Sequence, residues 1–315
     1  MSHRHVRFVG VFAALLAVGA PLSAFAQAVD VEAVEPESQD RTGFAFRTGY
    51  DHMFETDLNS GGEVSRDSFQ ASIGGRWAVA DKVHFTPRFI YELNAFNISN
   101  EAQRESGIAW GNINQYTVVG IADWAITENW ALLGGPLFRL AGEGSAPFDN
   151  GFTGGGLLGF NYKSGEDLSI GLGIGVVSQL EDDPAIIPIP MVRWHFVEPL
   201  TLKLGIDQLG GRTGLGPELI WHVTKELDFG VGAQYQRRRY RLDDHGFNRK
   251  GIGEDSGAPF FARLGWKPME AAVVEAFAGV VAAGELKTQD KNGNNTVDKG
   301  FDATPTIGLR GEFRF

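Results

Sequence analysis

The chain has 315 residues, no cysteine, 42 glycines and a formal net charge of −11. The acidic balance argues against nucleic acid, which needs a basic footprint, and the lack of Cys excludes disulfides and a lipoprotein anchor. Beyond the first segment no stretch reaches the roughly 18 uninterrupted apolar residues of a membrane helix. The longest candidate, 271–284, is interrupted by Glu275.

The N-terminus reads as an export signal. Arg4 and Arg7 supply a basic start, Phe8 to Leu22 an apolar stretch, and Ala24-Phe25-Ala26 a small-x-small cleavage site. Residues 1–26 are thus expected to be removed, and loss of the two arginines takes the charge from −11 to −13 (−11 − 2). Residues 27–41 are polar, acidic and aperiodic, a short periplasmic tail. From 42 to 315 period-two alternation dominates, with no helical period of comparable strength.

Fourteen strands are expected, at 43–54, 67–79, 83–96, 112–126, 130–141, 151–163, 168–179, 185–196, 200–209, 213–223, 227–242, 257–267, 272–286 and 303–315. Three-residue connections such as Ala80-Asp81-Lys82, Thr127-Glu128-Asn129, Val197-Glu198-Pro199 and Thr224-Lys225-Glu226 follow even-numbered strands. The connections after odd-numbered strands are generally longer, for example 55–66, 97–111, 243–256 and 287–302. That asymmetry, with an even count, predicts an all-β transmembrane antiparallel up-and-down barrel with both termini in the periplasm. Trp77, Trp124, Trp194, Trp221 and Trp266 lie near the ends of even-numbered strands, and Trp130 opens the fifth. All six fall on the apolar face, as an aromatic ring at the inner membrane interface would.

Parity then assigns the lumen. On the third strand Val83, Phe85, Pro87, Phe89, Tyr91 and Leu93 face lipid, so His84, Arg88 and Glu92 face inward. The same phasing places Arg47 and Asp51, Arg76, Asp123, Arg139, Arg193 and His195 inside. Further round come Lys203, Asp207, Glu218, His222, Gln234, Gln236, Arg238, Arg263 and Glu275, then Arg310, Glu312 and Arg314 on the last strand. These are ten Lys or Arg against seven Asp or Glu. Such charges must be hydrated or paired. Either water fills the lumen and the small cationic excess favours anions, or the charges pair across it and close it. Fourteen strands about 4.8 Å apart and tilted about 40° give a backbone diameter of about 28 Å, which favours an open or loop-constricted passage of about 12–16 Å.

Other constellations are weaker. Arg237 and Arg239, by parity outward, would suit lipopolysaccharide phosphates; a solvated strand end is the equal alternative. Asp290, Asn292, Asn294 and Asp298 have a calcium loop's early spacing but lack its Gly and closing Glu, so a plain polar loop is expected. Asp243, Asp244 and His245 with Asp182 and Asp183 offer acids and an imidazole but no nucleophile pattern, so no enzyme is expected. No metal or cofactor is expected either.

Over 42–315 the chain resembles bacterial (Gram-negative) outer-membrane β-barrel proteins, and more narrowly an uncharacterised outer-membrane barrel family. The resemblance lies in IPIPMVRWHFVEPLTLKLG, QRRRYRLDDHG and the closing PTIGLRGEFRF. It implies a fold and an outer-membrane location, with lipid, lipopolysaccharide and the barrel-assembly machinery as partners, and no functional residues. Its size is similar to that of monomeric fourteen-stranded porins, whereas residues 27–41 are too short for the N-terminal hatch of long-chain fatty-acid transporters. The leading expectation is passive passage of small hydrophilic solutes or ions. The alternative is a non-conducting barrel whose outer loops bind envelope components or a partner. Phe313 and Phe315 resemble the terminal aromatic signal read during barrel assembly. Deleting Phe315 is expected to lower the yield of heat-modifiable barrel in outer-membrane fractions; an unchanged folded yield would remove that role.

Overall fold

The computed structural model describes residues 43–315 apart from 107, 145, 147 and 245–248; the signal, the tail and His245 lie outside the described residues. The strands are β1 (Gly43–Asp57), β2 (Glu63–Ala80), β3 (Val83–Ile98), β4 (Asn112–Ala125), β5 (Trp130–Glu143), β6 (Phe152–Ser164), β7 (Leu168–Gln179) and β8 (Asp182–Val197). They continue as β9 (Leu200–Leu209), β10 (Arg212–His222), β11 (Leu227–Ala233), β12 (Gln236–Arg241), β13 (Ile252–Met269), β14 (Ala272–Gln289), β15 (Asn295–Phe301) and β16 (Thr304–Arg314). A short helix α1 (Asn100–Ser106) lies between β3 and β4.

Neighbours pair antiparallel, and β1 closes on β16 with Ala45 opposite Arg314. β11 and β12 share one register on β13, Ala233 opposite Phe260 and Gln236 opposite Gly257. β15 and β16 likewise share one register on β14. The sixteen segments therefore make fourteen staves, and the fold is a closed fourteen-stranded antiparallel barrel. The backbone needs this closure: in hydrocarbon no water satisfies an open edge.

The wall's outward residues are apolar and exposed: Phe46, Phe89, Phe138, Phe160, Ile174, Val231, Phe260 and Leu309 among them. In a water-soluble protein such a continuous belt would be an aggregation surface; here it meets lipid. At one end Trp124 faces Val83, Trp194 faces Leu168, Trp221 faces Leu200 and Trp266 faces Leu227, each partner being the first residue of its strand. Trp130 opens β5, and Trp77 packs edge-on against Phe44 at 5.2 Å. This end carries the short turns and the described termini; we call it the inner end.

Two stretches differ from expectation. β13 begins at Ile252 rather than 257, and β14 and β15 turn most of the expected 287–302 loop into a hairpin. Both stretches lie where neither face meets lipid, so no apolar alternation marks them.

The larger departure is at the seam between β8 and β9. They pair only from Val192–Leu204 down to Val197–Leu200. Above this, Ala185–Met191 of β8 has no described partner on that side, and the outer half of the β9–β10 hairpin rolls into the lumen. Its tip, Gly210-Gly211, reaches β1 and β2 across the barrel. A Cβ on Gly49 would lie 1.8 Å from the Gly210 carbonyl oxygen, and one on Gly211 2.2 Å from that of Ser68. Gly210 also has a φ of +60°, which suits glycine.

The exposed edge of β8 is chemically prepared. His195 donates its amide to Asp167 on the β7 side. The β7–β8 register is unbroken from Trp194 to Ala185, so odd-numbered amides point to β7 and even-numbered ones to the seam. Two of those even positions are Pro188 and Pro190, which have no N–H to leave unpaired.

Ile206 on the rolled hairpin completes an apolar cluster with Val119, Leu137, Leu157, Val177, Ile187 and Ile189 on the inner faces of β4–β8. A second cluster caps the outer end, where Trp110 meets Tyr240 edge-on at 5.4 Å and Phe96 at 5.5 Å. If the six belt tryptophans share one level, brominated lipids should quench their fluorescence at a single depth, unchanged in Trp110→Phe. A spread of quenching depths would overturn the strand phasing.

Candidate functional site

The lumen is the candidate site, and its outer half is filled. Asp51, on β1, is 3% exposed and accepts the Gly211 amide of the hairpin tip at 2.8 Å. Arg66 of β2 pairs with Asp51 at 3.3 Å. Arg212, next to the tip, pairs with Asp255 of β13 at 2.5 Å with both side chains 2% exposed. Along the hairpin, Asp207 binds Lys203 at 2.8 Å and Arg310 of β16 at 3.0 Å. Arg310 also donates to the Gln208 carbonyl.

A second layer joins β12 to the opposite wall. Arg238 makes a two-pronged contact with Glu92 of β3, 2.6 Å from Nε and 3.2 Å from Nη2, and donates to the Thr213 carbonyl. Asn94 and Gln70 occupy the remaining acceptor positions of Glu92. The end of β12 touches β5, with Arg241 opposite Gly142 in parallel register. Lower down, Arg263 bridges Glu218 at 2.7 Å and Glu275 at 2.6 Å, and Arg47 and Arg314 share Glu312.

The inner half differs. Arg76, His84, Arg88, Asp123, Arg193, His195 and His222 are half-buried rather than enclosed. Arg76 pairs with Asp123, His222 lies 2.6 Å from Asp228, and a pocket of about 460 Å³ opens between the β2–β3 and β4–β5 turns, lined in part by Arg76, His84, Asp123, Trp130 and Lys163. A polar vestibule thus faces the inner end, below a plug made from the wall's own strands.

Two sequence readings are corrected. The passage of about 12–16 Å assumed that only side chains enter the lumen, whereas the outer half of the β9–β10 hairpin does. Arg237 and Arg239 do not meet lipid: Arg237 binds Glu254 at 2.6 Å, and Arg239 binds the Leu180 carbonyl at 2.7 Å and Gln289 at 2.6 Å. Because the sheet rolls inward here, parity still alternates but both faces are buried.

Arg66, Arg212 and Asp255, absent from the parity assignment, are central to the plug. Arg212 and Asp255 sat in expected connections and Arg66 one residue before an expected strand. The signal that was available is the apolarity of both faces in β6–β8, where Gly171, Gly173, Gly175, Ile187 and Ile189 point inward; a watery lumen needs no such face. Asp290 spends one carboxylate oxygen on the Asn292 and Asn294 amides of its own turn. Asp182 is engaged by Arg239 at 3.3 Å.

One buried charge stands apart. Arg139 of β5 is 5% exposed, its Nε has no acceptor, and among the described residues no carboxylate pairs with it.

No family model matches the chain, and no curated protein matches it. Among solved structures it is similar to an outer-membrane channel from Pseudomonas putida F1, at 12% identity and a TM-score of 0.49, over 87% of this chain and 96% of that one. It is also similar to a Pseudomonas aeruginosa FadL homologue, at 10% identity and a TM-score of 0.49, over 86% and 90% of the two chains. The NanC porin gives 11% identity and a TM-score of 0.40, over 86% and 100%. The likeness is one of fold. The chain is a closed fourteen-stranded antiparallel β-barrel with an apolar outer belt.

Leaving one partner of a buried ion pair behind costs about 3–5 kcal/mol. Arg238→Met alone should therefore lower the unfolding free energy by about that much, while the double variant Glu92→Gln, Arg238→Met should be more stable than the single one. Urea unfolding of the wild type, both single variants and the double variant in lipid vesicles tests this; strict additivity would show that the pair is not coupled.

Proposed function

We propose that the protein is an outer-membrane channel, closed in this conformation, whose gate is the rolled β9–β10 hairpin. The observation that carries this reading is the division of the lumen: a polar, accessible vestibule below, and above it a plug held largely by non-covalent polar contacts at its tip. Small hydrophilic solutes or ions entering the vestibule meet Arg88, Arg193 and His195, and pass only when the hairpin tip leaves Asp51 and Arg66. The chain reaches the membrane after removal of residues 1–26, with Phe315 recognised by the assembly machinery and lipopolysaccharide around the outer rim.

Pairing of the charges favours a second reading, a non-conducting barrel whose outer surface binds a partner. Planar-bilayer recordings separate the two. The wild type should open rarely. The double variant Asp51→Asn, Asp207→Asn keeps side-chain size but gives up at least two charge-assisted bonds of about 1.5 kcal/mol each. That should raise the open fraction roughly a hundredfold. A folded double variant without conductance would leave the second reading standing.

A further inference from the structure

We propose that Arg139 is an anion-binding subsite inside the barrel, shaped for the carboxylate of a small organic molecule with an apolar body. Most other enclosed lumen arginines described above have a carboxylate: Arg66 has Asp51, Arg212 has Asp255, Arg238 has Glu92, and Arg263 has Glu218 and Glu275. Arg139 has none among the described residues, and its Nε is buried without an acceptor. The parallel contact of Arg241 with Gly142 brings Arg238 level with Arg139. The nearest negative charge on that level, Glu92, has both oxygens taken by Arg238, Asn94 and Gln70. Two guanidinium groups thus face one carboxylate, and the second is left for an anion that the described residues do not supply.

The surroundings define that anion. Directly opposite Arg139 on the two neighbouring strands are Thr117 and Thr153, both buried. Their hydroxyls can donate beside the guanidinium, so three adjacent strands present donors to one point. One step down the same inner face the wall becomes apolar, with Leu137 at 1%, Val119 at 2% and Leu157 at 7% exposure. A fully hydrated inorganic anion would face this apolar wall on one side. An organic carboxylate suits both halves, with its head on Arg139 and its body along Leu137 and Val119, in the place that Ile206 of the hairpin fills in the closed conformation. A planar guanidinium also binds carboxylate in two-pronged fashion, which a lysine cannot reproduce.

The proposal rests on the channel reading for the ligand's route into the barrel and for the movement of the hairpin that uncovers Leu137 and Val119. The test is calorimetric titration of the purified, folded protein with sodium benzoate, benzyl alcohol and inorganic phosphate. Benzoate should bind one to one. Benzyl alcohol and phosphate should each bind about tenfold more weakly, the loss expected for one charge-assisted bond or for the apolar contact. Arg139→Gln should weaken benzoate by about tenfold or more, and Arg139→Lys, which keeps the charge, by less. Heat-modifiability of each variant checks that the barrel is folded. Absence of benzoate binding by the wild type, or unchanged binding by folded Arg139→Gln, would overturn the proposal. Phosphate binding as tight as benzoate would overturn the organic ligand. A barrel that binds benzoate but never conducts loses the channel and keeps this site; one that conducts without binding benzoate does the reverse.

Discussion

The interior is organised around one carboxylate. Asp51 sits on the strand that closes the barrel, accepts the backbone amide of a hairpin tip from the far wall, and pairs with Arg66 beside it. Without an acceptor there the tip of β9–β10 would bring an unpaired N–H into a nearly dry space, at a cost of about 1–3 kcal/mol. Seated, the hairpin carries Arg212 to Asp255 and Ile206 into the β4–β8 cluster, so the polar layer and the apolar layer form together.

This is an uncommon way to fill a barrel. A separate plug domain would need its own core, and a folded-in loop would have to satisfy its own backbone. Here the plug keeps its strand hydrogen bonds, because β9, β10, β11, β12 and β13 stay paired to one another while the sheet curls. Among the described residues the β8–β9 ladder is given up over the outer half of the wall, and above Glu218 the other side of β10 keeps only the Leu215–Tyr235 bridge. Buried ion pairs then act less as a source of net stability than as a fix on geometry, since desolvation offsets much of their attraction. Each guanidinium admits few carboxylate positions, and together they set where the hairpin lies.

How much of this could be read from the chain follows from what each face meets. The fourteen staves were legible because lipid on one side forces alternation, and the tryptophans phase the strands from one end. β15 and the start of β13 were illegible because DKNGNNTVD and GEDSG have no lipid-facing side. The plug was illegible for a different reason: parity says that Asp207, Arg238 and Arg310 point inward, but not whether water or another strand awaits them. Arg237 and Arg239 show the limit most sharply, since the parity that turned them outward, toward lipopolysaccharide or solvent, holds only while the strand stays in the wall. The inward-facing Gly171, Gly173, Gly175, Ile187 and Ile189 carried the one available hint.

Pro188 and Pro190 bear on how such a chain can be built at all. A half-finished barrel presents edges that other strands, its own or a neighbour's, can add to. An inner seam left open within the sheet would be a false terminus, competing with β1 and β16 for the final pairing. Without two of its amides, the β8 edge is a poor template for strand addition. The edges of β1 and β16 are then the better templates for joining, and the seam offers adjacent barrels a weak one.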